Sequence, residues 1–268
     1  MPAADDLSLL IEAAEASGDI ATRYSGPTAK SWDKPDGQGP VTEADLAVNA
    51  YLEGFLQKAR PDYGWLSEES DDSADRLGKE RVFIIDPIDG TRSFANGSRT
   101  WAHALAIAEQ GEVVAAVIYL PQRGRLYSAA KGQGAYCNGH RLEVSPKASL
   151  ETSEVLTAKP NLEAKHWRGG EPPAFQRSYR PSLAYRLARV ADGRSGAMLT
   201  LRPSWEWDIA AGDLILRESG GRISDRFGKT LQFNNATPLL EGVIAAAPLV
   251  HQSLSDALDP EGPGIRSQ

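Results

Sequence analysis

The sequence predicts a mixed α/β (α+β) fold, and three features of the chain lead to that prediction. From Leu7 to Ala21 and again from Leu46 to Phe55, apolar residues recur in the pattern of amphipathic helices. Between Ala102 and Val144, β-rich runs separated by turn signals predict an antiparallel meander in the N-terminal half. From about residue 150, helical and strand patterns alternate, which predicts a mixed sheet with helices in the C-terminal half. We therefore expect two closely joined subdomains, residues 1–148 and 149–268.

Two helices are expected before residue 61. The first ends near Tyr24, and a Gly/Pro-rich loop from Lys34 to Pro40 separates it from the second. The second begins at Thr42, where Thr42 and Asp45 have the spacing of a capping box, and it stops before Pro61. Its buried side is expected to carry Leu46, Ala47, Ala50, Tyr51 and Phe55.

The later elements are expected as follows. The apolar run 82–85 is too short for a helix and predicts a buried strand that ends at Asp86. Ser182 can cap a helix closed by Gly193, and another helix runs from about Asp208 to Ser219. A strand over 243–247 and a helix over 249–258 complete the pattern.

Composition restricts the classes of function. Lys and Arg total 29 against 36 Asp and Glu, and the net charge of −7 disfavours binding to a nucleic-acid polymer. The single cysteine, Cys137, excludes an internal disulfide and suits a reducing compartment. No apolar run approaches the roughly 20 residues that span a bilayer. We therefore expect a cytoplasmic protein without a membrane segment.

The strongest chemical signal is the segment Ile85-Asp86-Pro87-Ile88-Asp89-Gly90-Thr91. It places two carboxylates three residues apart at the end of an apolar strand, where they would repel each other unless a cation lay between them. Oxygen ligands without a Cys/His cluster favour magnesium or manganese over zinc. The alternative is a tight turn, because Asp-Pro and Asp-Gly are common turn formers.

Three other acidic segments are candidates for the same site, and each has a structural alternative. In the pair Glu68-Glu69, one residue could be a metal ligand and the other a surface charge. Asp208 precedes the small residues Ala210-Ala211-Gly212 and could simply cap its helix. Asp45 could serve only in the capping box. The four histidines form no ligand spacing and are assigned no catalytic role.

Together, the segments VTEAD, LSEES, IDPIDGT and WDIAAG resemble the inositol monophosphatase superfamily, which includes bisphosphate nucleotidases. The resemblance implies a layered αβαβα sandwich, a homodimer, frequent lithium sensitivity and two or three Mg²⁺ ions, with Mn²⁺ as an alternative. It implies that residues 1–148 carry most of the metal ligands and that 149–268 supply Asp208 and substrate contacts.

The resemblance also implies a role for each motif residue. Glu68, Asp86 and the carbonyl of Ile88 would hold one ion, and Asp86, Asp89 and Asp208 a second. Glu68 and Thr91 would orient the attacking water, with Asp45 supporting Thr91. The amides of Gly90 and Thr91 would bind phosphate. The implied activity is hydrolysis of a small phosphate monoester by metal-activated water.

The substrate is left open by the sequence. Arg92 beside the phosphate site could favour a more anionic ligand. Inositol-specific members carry a glutamate shortly before the WD motif, whereas this chain has Leu199-Thr200-Leu201-Arg202, and Pro203 to Asp208 resembles the nucleotidase branch. We expect 3′-phosphoadenosine 5′-phosphate first and inositol monophosphate next, with histidinol phosphate as an alternative. Trp205 and Trp207 could stack on adenine, but core packing is the preferred interpretation.

Two other functions compete with this one. An aspartyl phosphatase would attack its substrate with an Asp-x-Asp pair, whereas here the second carboxylate lies three residues after the first. A non-catalytic, metal-sensitive interaction protein is the other alternative.

Overall fold

The computed structural model describes residues 2–24, 30–35, 39–146 and 149–260. Its helices are α1 (Pro2–Tyr24), α2 (Glu43–Ala59), α3 (Thr91–Ala95), α4 (Leu183–Ala191), α5 (Glu206–Glu218) and α6 (Pro248–Ala257).

The N-terminal half contains a seven-stranded sheet whose strands lie in chain order. They are β3 (Gly64–Ser67), β4 (Arg81–Asp89), β5 (Ala102–Glu109), β6 (Glu112–Leu120), β7 (Arg125–Ala130), β8 (Ala135–Cys137) and β9 (His140–Arg141). β3 and β4 are parallel, and every later pair is antiparallel. The antiparallel meander is therefore confirmed. A separate hairpin, β1 (Ser31–Asp33) with β2 (Pro40–Thr42), precedes α2.

The C-terminal half contains a mixed five-stranded sheet in the order β11-β10-β12-β16-β14. Its strands are β10 (Glu154–Thr157), β11 (Gln176–Ser178), β12 (Ala197–Thr200), β14 (Arg222–Ser224) and β16 (Val243–Ala246). β10 is parallel to β11 and β12, whereas β16 is antiparallel to β12 and β14. A short pair, β13 (Ser204–Trp205) with β15 (Leu239–Leu240), lies just before α5 and β16.

Three apolar clusters separate five layers. The first joins α1 and α2 to one face of the seven-stranded sheet, including Phe83 and Ile85 of β4. The second fills the space between the two sheets with α4 and α5, and Val82 and Ile84 of β4 face it. The third packs α6 on the outer face of the five-stranded sheet. Alternate residues of β4 thus face different cores, as the two-residue period of a strand requires. The order of helix and sheet layers confirms the αβαβα sandwich.

Some local predictions need correction. The predicted buried face of α2 is wrong, because Ala44, Val48, Leu52 and Leu56 are buried while Leu46 is 44% exposed. The inward Asp45 explains this rotation: it bonds to Thr42 and so directs the first turn toward the interior. The strands of the hairpin β1–β2 flank the predicted loop from Lys34 to Pro40, in which residues 36–38 lie outside the described range.

The remaining helices, and the division of the chain, compare with the sequence as follows. α5 begins two residues earlier than predicted, at Glu206. The predicted cap of α4 at Ser182 is present, because its hydroxyl accepts from the amide of Tyr185. The division at residue 148 stays a prediction, since the central cluster draws side chains from both sides of it. Among the described helices, none combines the length and apolar character needed to cross a bilayer.

The contact between α4 and α5 is unusually close at one glycine. A Cβ atom built on Gly212 of α5 would lie 2.3 Å from Cδ1 and 2.5 Å from Cβ of Leu187 on α4. The two helices therefore approach as closely as they do only because this position has no side chain.

We predict that Gly212→Ala lowers the free energy of unfolding by about 1 to 3 kcal/mol, because the methyl group forces α4 and α5 apart. Intrinsic helix propensity alone would give the opposite sign. Gly54→Ala is the matched control: it lies inside α2, and a Cβ there meets nothing within 4 Å. Urea unfolding should show a gain of about 0.5 to 1 kcal/mol for the control. A stabilised Gly212→Ala protein would contradict the packing argument.

Candidate active site

An irregularity in β4 brings Asp86 and Asp89 to the same site. The register of β4 against β5 shifts between these two residues, so Pro87 and Ile88 interrupt the ladder. In a regular strand, residues three apart point to opposite faces, and a bulge removes that restriction. The motif predicted from the sequence is therefore a strand end whose distortion turns both carboxylates toward one cavity.

Asp208 joins them from the first turn of α5. Among the described residues, one carboxylate oxygen each from Asp86, Asp89 and Asp208 lies within 4.8 Å of the others. Asp208 does not cap its helix, because α5 begins at Glu206 and its N-cap residue is Trp205, so that alternative is wrong. The three carboxylates face a cavity of about 540 Å³, which Glu68, Gly90 and Thr91 also line.

The electrostatics of this cluster indicate that a cation belongs there. Burial raises the pKa of Asp86 well above its usual value, and the negative charges of Glu68 and Asp89 raise it further. The pKa of Asp208 is raised by burial, then by Asp89 and Glu68. Asp86 is 1% exposed, yet its Oδ1 atom has no hydrogen-bond partner among the described residues. A desolvated oxygen of this kind is costly unless a ligand binds it, and an all-oxygen donor set fits a hard divalent cation.

Asp89 is also held by the start of α4, a contact that the sequence did not predict. Its Oδ2 accepts from the hydroxyl of Ser182 and from the amide of Ala184, each at 2.6 Å. Burial raises the pKa of Asp89 to about 6, although these bonds and nearby Arg186 oppose the rise. The N-terminus of α4 therefore stabilises the charged form of Asp89.

Asp45 links the capping box of α2 to Thr91. Its Oδ2 accepts from the amide of Thr42 at 2.9 Å, and its Oδ1 lies 3.1 Å from the hydroxyl of Thr91. The same hydroxyl lies 3.1 Å from the carbonyl of Ile88. Burial raises the pKa of Asp45 to about 6. Asp45 thus caps its helix and also contacts the Thr91 side chain, so the two interpretations of the sequence are compatible.

Gly90 makes the turn from β4 into α3. Its φ of +96° lies in the left-handed region, which favours glycine, and it is the N-cap residue of α3. A Cβ at this position would lie 3.2 Å from the carbonyl of Thr100. The first amides of a helix lack acceptors within it, so this turn directs Gly90 and Thr91 backbone along the wall of the cavity.

Glu68 lines the cavity but is engaged differently from the three aspartates. Its Oε1 pairs with Lys34 Nζ at 3.0 Å, and Lys34 also contacts Glu69 Oε1 at 2.7 Å. Burial lowers the pKa of Lys34, but the two glutamates outweigh it and the net shift is upward. Burial and the adjacent Glu68 raise the pKa of Glu69 to about 7. Glu69 is therefore not the surface charge that the sequence allowed.

The rest of the cavity wall is richer in arginine than expected. Arg92, the predicted substrate contact, lines the cavity and is exposed. Arg186, Arg202 and Tyr179 also line it, and nothing in the local sequence marks them. His103, assigned no role from the sequence, is buried behind the turn and its Nδ1 bonds to the carbonyl of Pro87. Such contacts arise only when distant segments meet.

A second cavity of about 680 Å³ adjoins the first, since Glu68 and Arg202 line both. Its wall includes Trp205 and Trp207, whose rings stack at a centroid distance of 4.8 Å with 10° between their planes. Trp207 packs against the central core, as preferred from the sequence. For Trp205 that preference is wrong, because its side chain is 40% exposed.

The layered sandwich holds an acidic cavity, between a distorted strand end and two helix starts, whose oxygen donors suit a hard divalent cation. Comparison with known proteins identifies the family. The model of the inositol monophosphatase family matches residues 4–259, and the chain belongs to that family. It is therefore a phosphoric monoester hydrolase by family, and divalent metals serve the enzymes of this family.

Individual relatives agree on the family and differ in their names. The inositol-1-monophosphatase of Mesorhizobium japonicum is 32% identical, over 94% of this chain and 95% of its own. The Nus factor SuhB of Escherichia coli K12 is 33% identical, over 83% and 85%. The solved inositol monophosphatase structure from Thermotoga maritima superposes with a TM-score of 0.82 at 30% identity, covering 94% and 96%.

We predict that Asp86→Asn stabilises the metal-free protein by about 1 to 3 kcal/mol, because it removes a buried charge that has no partner at Oδ1. It should also abolish the stabilisation that added Mg²⁺ gives the wild type. The measurement is urea unfolding in EDTA and in excess Mg²⁺.

Asp6→Asn is the matched control. Asp6 is equally buried, but its carboxylate bonds to Arg60, Arg81 and Tyr63. The same substitution there should destabilise the protein by about 1 to 3 kcal/mol and leave the Mg²⁺ response unchanged. If metal-free Asp86→Asn is less stable than the wild type, the carboxylate has a structural role instead.

Proposed function

We propose that this protein is a magnesium-dependent phosphatase that hydrolyses a small phosphate monoester by attack of water. The observation that carries the proposal is the group of three desolvated carboxylates, Asp86, Asp89 and Asp208, within 4.8 Å of one another. Their raised pKa values and the unpartnered oxygen of Asp86 support a site built for positive charge. These three residues, with Glu68 and the carbonyl of Ile88, would hold two or three Mg²⁺ ions, or Mn²⁺ in their place.

When bound, the divalent cations would stabilise charge on the ester oxygens and lower the pKa of water. The chain's own groups would supply the orientation. Thr91, fixed through its hydroxyl by Asp45, and Glu68 would position the attacking water. The amides of Gly90 and Thr91 at the start of α3 would bind phosphate oxygens.

The pairing of Glu68 with Lys34 is compatible with this role. Only Oε1 of Glu68 is paired with the ammonium group, and no described ion pair involves Oε2. The carboxylate can therefore be held by Lys34 through one oxygen and offer the other to the site. Lys34 would then restrict the orientation of Glu68 before any substrate arrives.

Among substrates, the features of the cavity favour a nucleotide bisphosphate over inositol phosphate. The exposed face of Trp205 in the adjoining cavity offers a stacking surface for a nucleobase. The segment before the WD motif, 199–202, supplies Leu201 and Arg202 and no carboxylate for sugar hydroxyls. Exposed Arg92 would add a further cation near the phosphate.

The family resemblance also supports a cytoplasmic homodimer that lithium inhibits and that binds no nucleic-acid polymer. The phosphatase activity of the purified protein should be measured with and without lithium. Its assembly can be measured by light scattering.

The decisive experiment compares turnover of 3′-phosphoadenosine 5′-phosphate, inositol 1-phosphate and histidinol phosphate in Mg²⁺ and in EDTA. We expect Mg²⁺-dependent hydrolysis, with the nucleotide preferred. Asp89→Asn should reduce kcat by at least about a hundredfold, because it removes one of the three clustered charges while its amide oxygen can still accept from Ser182 and Ala184. Trp205→Ala should lower kcat/KM for the nucleotide only, so inositol 1-phosphate serves as the internal control.

Two results would count against the proposal. Near-normal Mg²⁺-dependent turnover by Asp89→Asn would show that the cluster does not perform the chemistry. A folded wild type that is inert toward all three esters would favour the non-catalytic, metal-sensitive interaction protein.

A further inference from the structure

Side chains of both charges line the cavity. Asp86, Asp89 and Asp208 line it, and so do Arg186 and Arg202, whose positive charges partly oppose the rise in the pKa of Asp208. Neither arginine forms an ion pair with any described residue; in contrast, Arg189, on the same helix as Arg186, pairs with Glu154. Cations can neutralise an acidic cluster, whereas two neighbouring arginines that face a cavity without ion-pair partners favour an anion.

Arg186 is the better defined of the two cations. It is 4% exposed, and its guanidinium carbon lies 4.4 Å from the centroid of the Tyr179 ring. Its Nε donates to the carbonyl of Arg180. Stacking, a side-chain hydrogen bond with Tyr179 and the bond to Arg180 fix the plane of the guanidinium group, and no described carboxylate forms an ion pair with it. A fixed, partly desolvated fork of this kind binds phosphate or carboxylate through two parallel hydrogen bonds.

Arg202 extends the positive region toward the second cavity. It lines both cavities, and one terminal nitrogen donates to the carbonyl of Pro203 at 3.3 Å. Burial lowers the pKa of Arg186, and the positive charge of Arg202 lowers it further, so the two groups repel each other. An anion placed between them would relieve that repulsion.

We propose that Arg186, together with Arg202, binds a second anionic group on the substrate, a phosphate or a carboxylate carried by the leaving group. The proposal rests on the phosphatase activity proposed above and specifies the substrate class: an ester whose scissile phosphate lies at the carboxylates while a second anion lies at the arginines. Arg186 is then a specificity-determining residue.

A competing explanation is that Arg186 only balances the charge of Asp89, whose carboxylate attracts it. The two explanations differ in their effect on substrates. A counter-charge for Asp89 would affect every ester equally, because all of them place a phosphate at the carboxylates. A second-anion site would affect only those esters that carry the second anion.

The experiment uses two matched substrate pairs that differ in one anionic group. The first pair is 3′-phosphoadenosine 5′-phosphate and adenosine 3′-monophosphate. The second is 2-phosphoglycerate and glycerol 2-phosphate, which tests a carboxylate. The measured quantity is the ratio of kcat/KM within a pair, which is independent of the fraction of correctly folded enzyme.

In at least one pair, we expect the wild type to favour the substrate that carries the second anionic group by about tenfold or more. Arg186→Met should reduce that preference by about ten- to a hundredfold. Arg186→Lys should retain part of it, since charge remains but the bidentate fork is lost. Arg189→Met is the matched control and should leave the ratio unchanged, because Arg189 does not line the cavity.

The inference is overturned if the wild type shows no preference in either pair, or if Arg186→Met lowers both members of a pair equally. An enzyme inactive on all four esters would refute the proposed function separately. In that case the ratio of dissociation constants within each pair, measured by calorimetry in Mg²⁺, replaces the kinetic ratio. Tighter binding of the substrate with the second anion, lost in Arg186→Met, supports the subsite. Equal binding within both pairs rejects it.

Discussion

The mutual repulsion of three clustered carboxylates is the constraint on which the architecture of this site depends. Asp86 and Asp89 are buried and Asp208 is half-buried, and their negative charges raise one another's pKa values. In the absence of a cation the fold opposes this repulsion with helix starts. α4 donates two hydrogen bonds to Asp89, and Asp208 lies in the first turn of α5, where the helix dipole favours negative charge. The middle layer of the sandwich therefore supports the site as well as the core.

That support requires α4 and α5 to pack closely against each other between the two sheets. Gly212 permits this, since the Leu187 side chain occupies the space that a Cβ atom would take. The bulge in β4 supplies the other half of the geometry by turning Asp86 and Asp89 toward the same cavity. Core packing and the arrangement of acidic groups are thus consequences of the same contacts, and a change that separates α4 from α5 would also move Asp208 away from Asp89.

Local sequence signals predicted much of this arrangement, and the parts that they missed share a physical cause. The meander, the cap at Ser182 and the acidic motifs each depend on neighbours within a few residues, so a linear pattern reveals them. The face of α2 did not follow from apolar periodicity, because a buried Asp45 bonded to Thr42 and Thr91 determined the rotation of the helix. The bond from Ser182 to Asp89 joins residues 93 positions apart. Stacking of Arg186 on Tyr179 and exposure of Trp205 depend on how loops pack, and composition carries no signal for them.

The proposed chemistry and the proposed substrate choice depend on different parts of the chain. The groups proposed to act on the scissile phosphate come from 45–91 and from Asp208, the segments that carry the family resemblance. The groups proposed to contact the remainder of a substrate come from 179–207, which contains Arg186, Arg202 and Trp205 and lacks the carboxylate of inositol-specific members. A relative with 32% identity can therefore share the whole acidic cluster and still differ in every contact to the leaving group. Because a desolvated arginine strongly favours an anion over a hydroxyl, the same reaction at the carboxylates would select a different ester, and the activity in a relative's name need not be the activity of this chain.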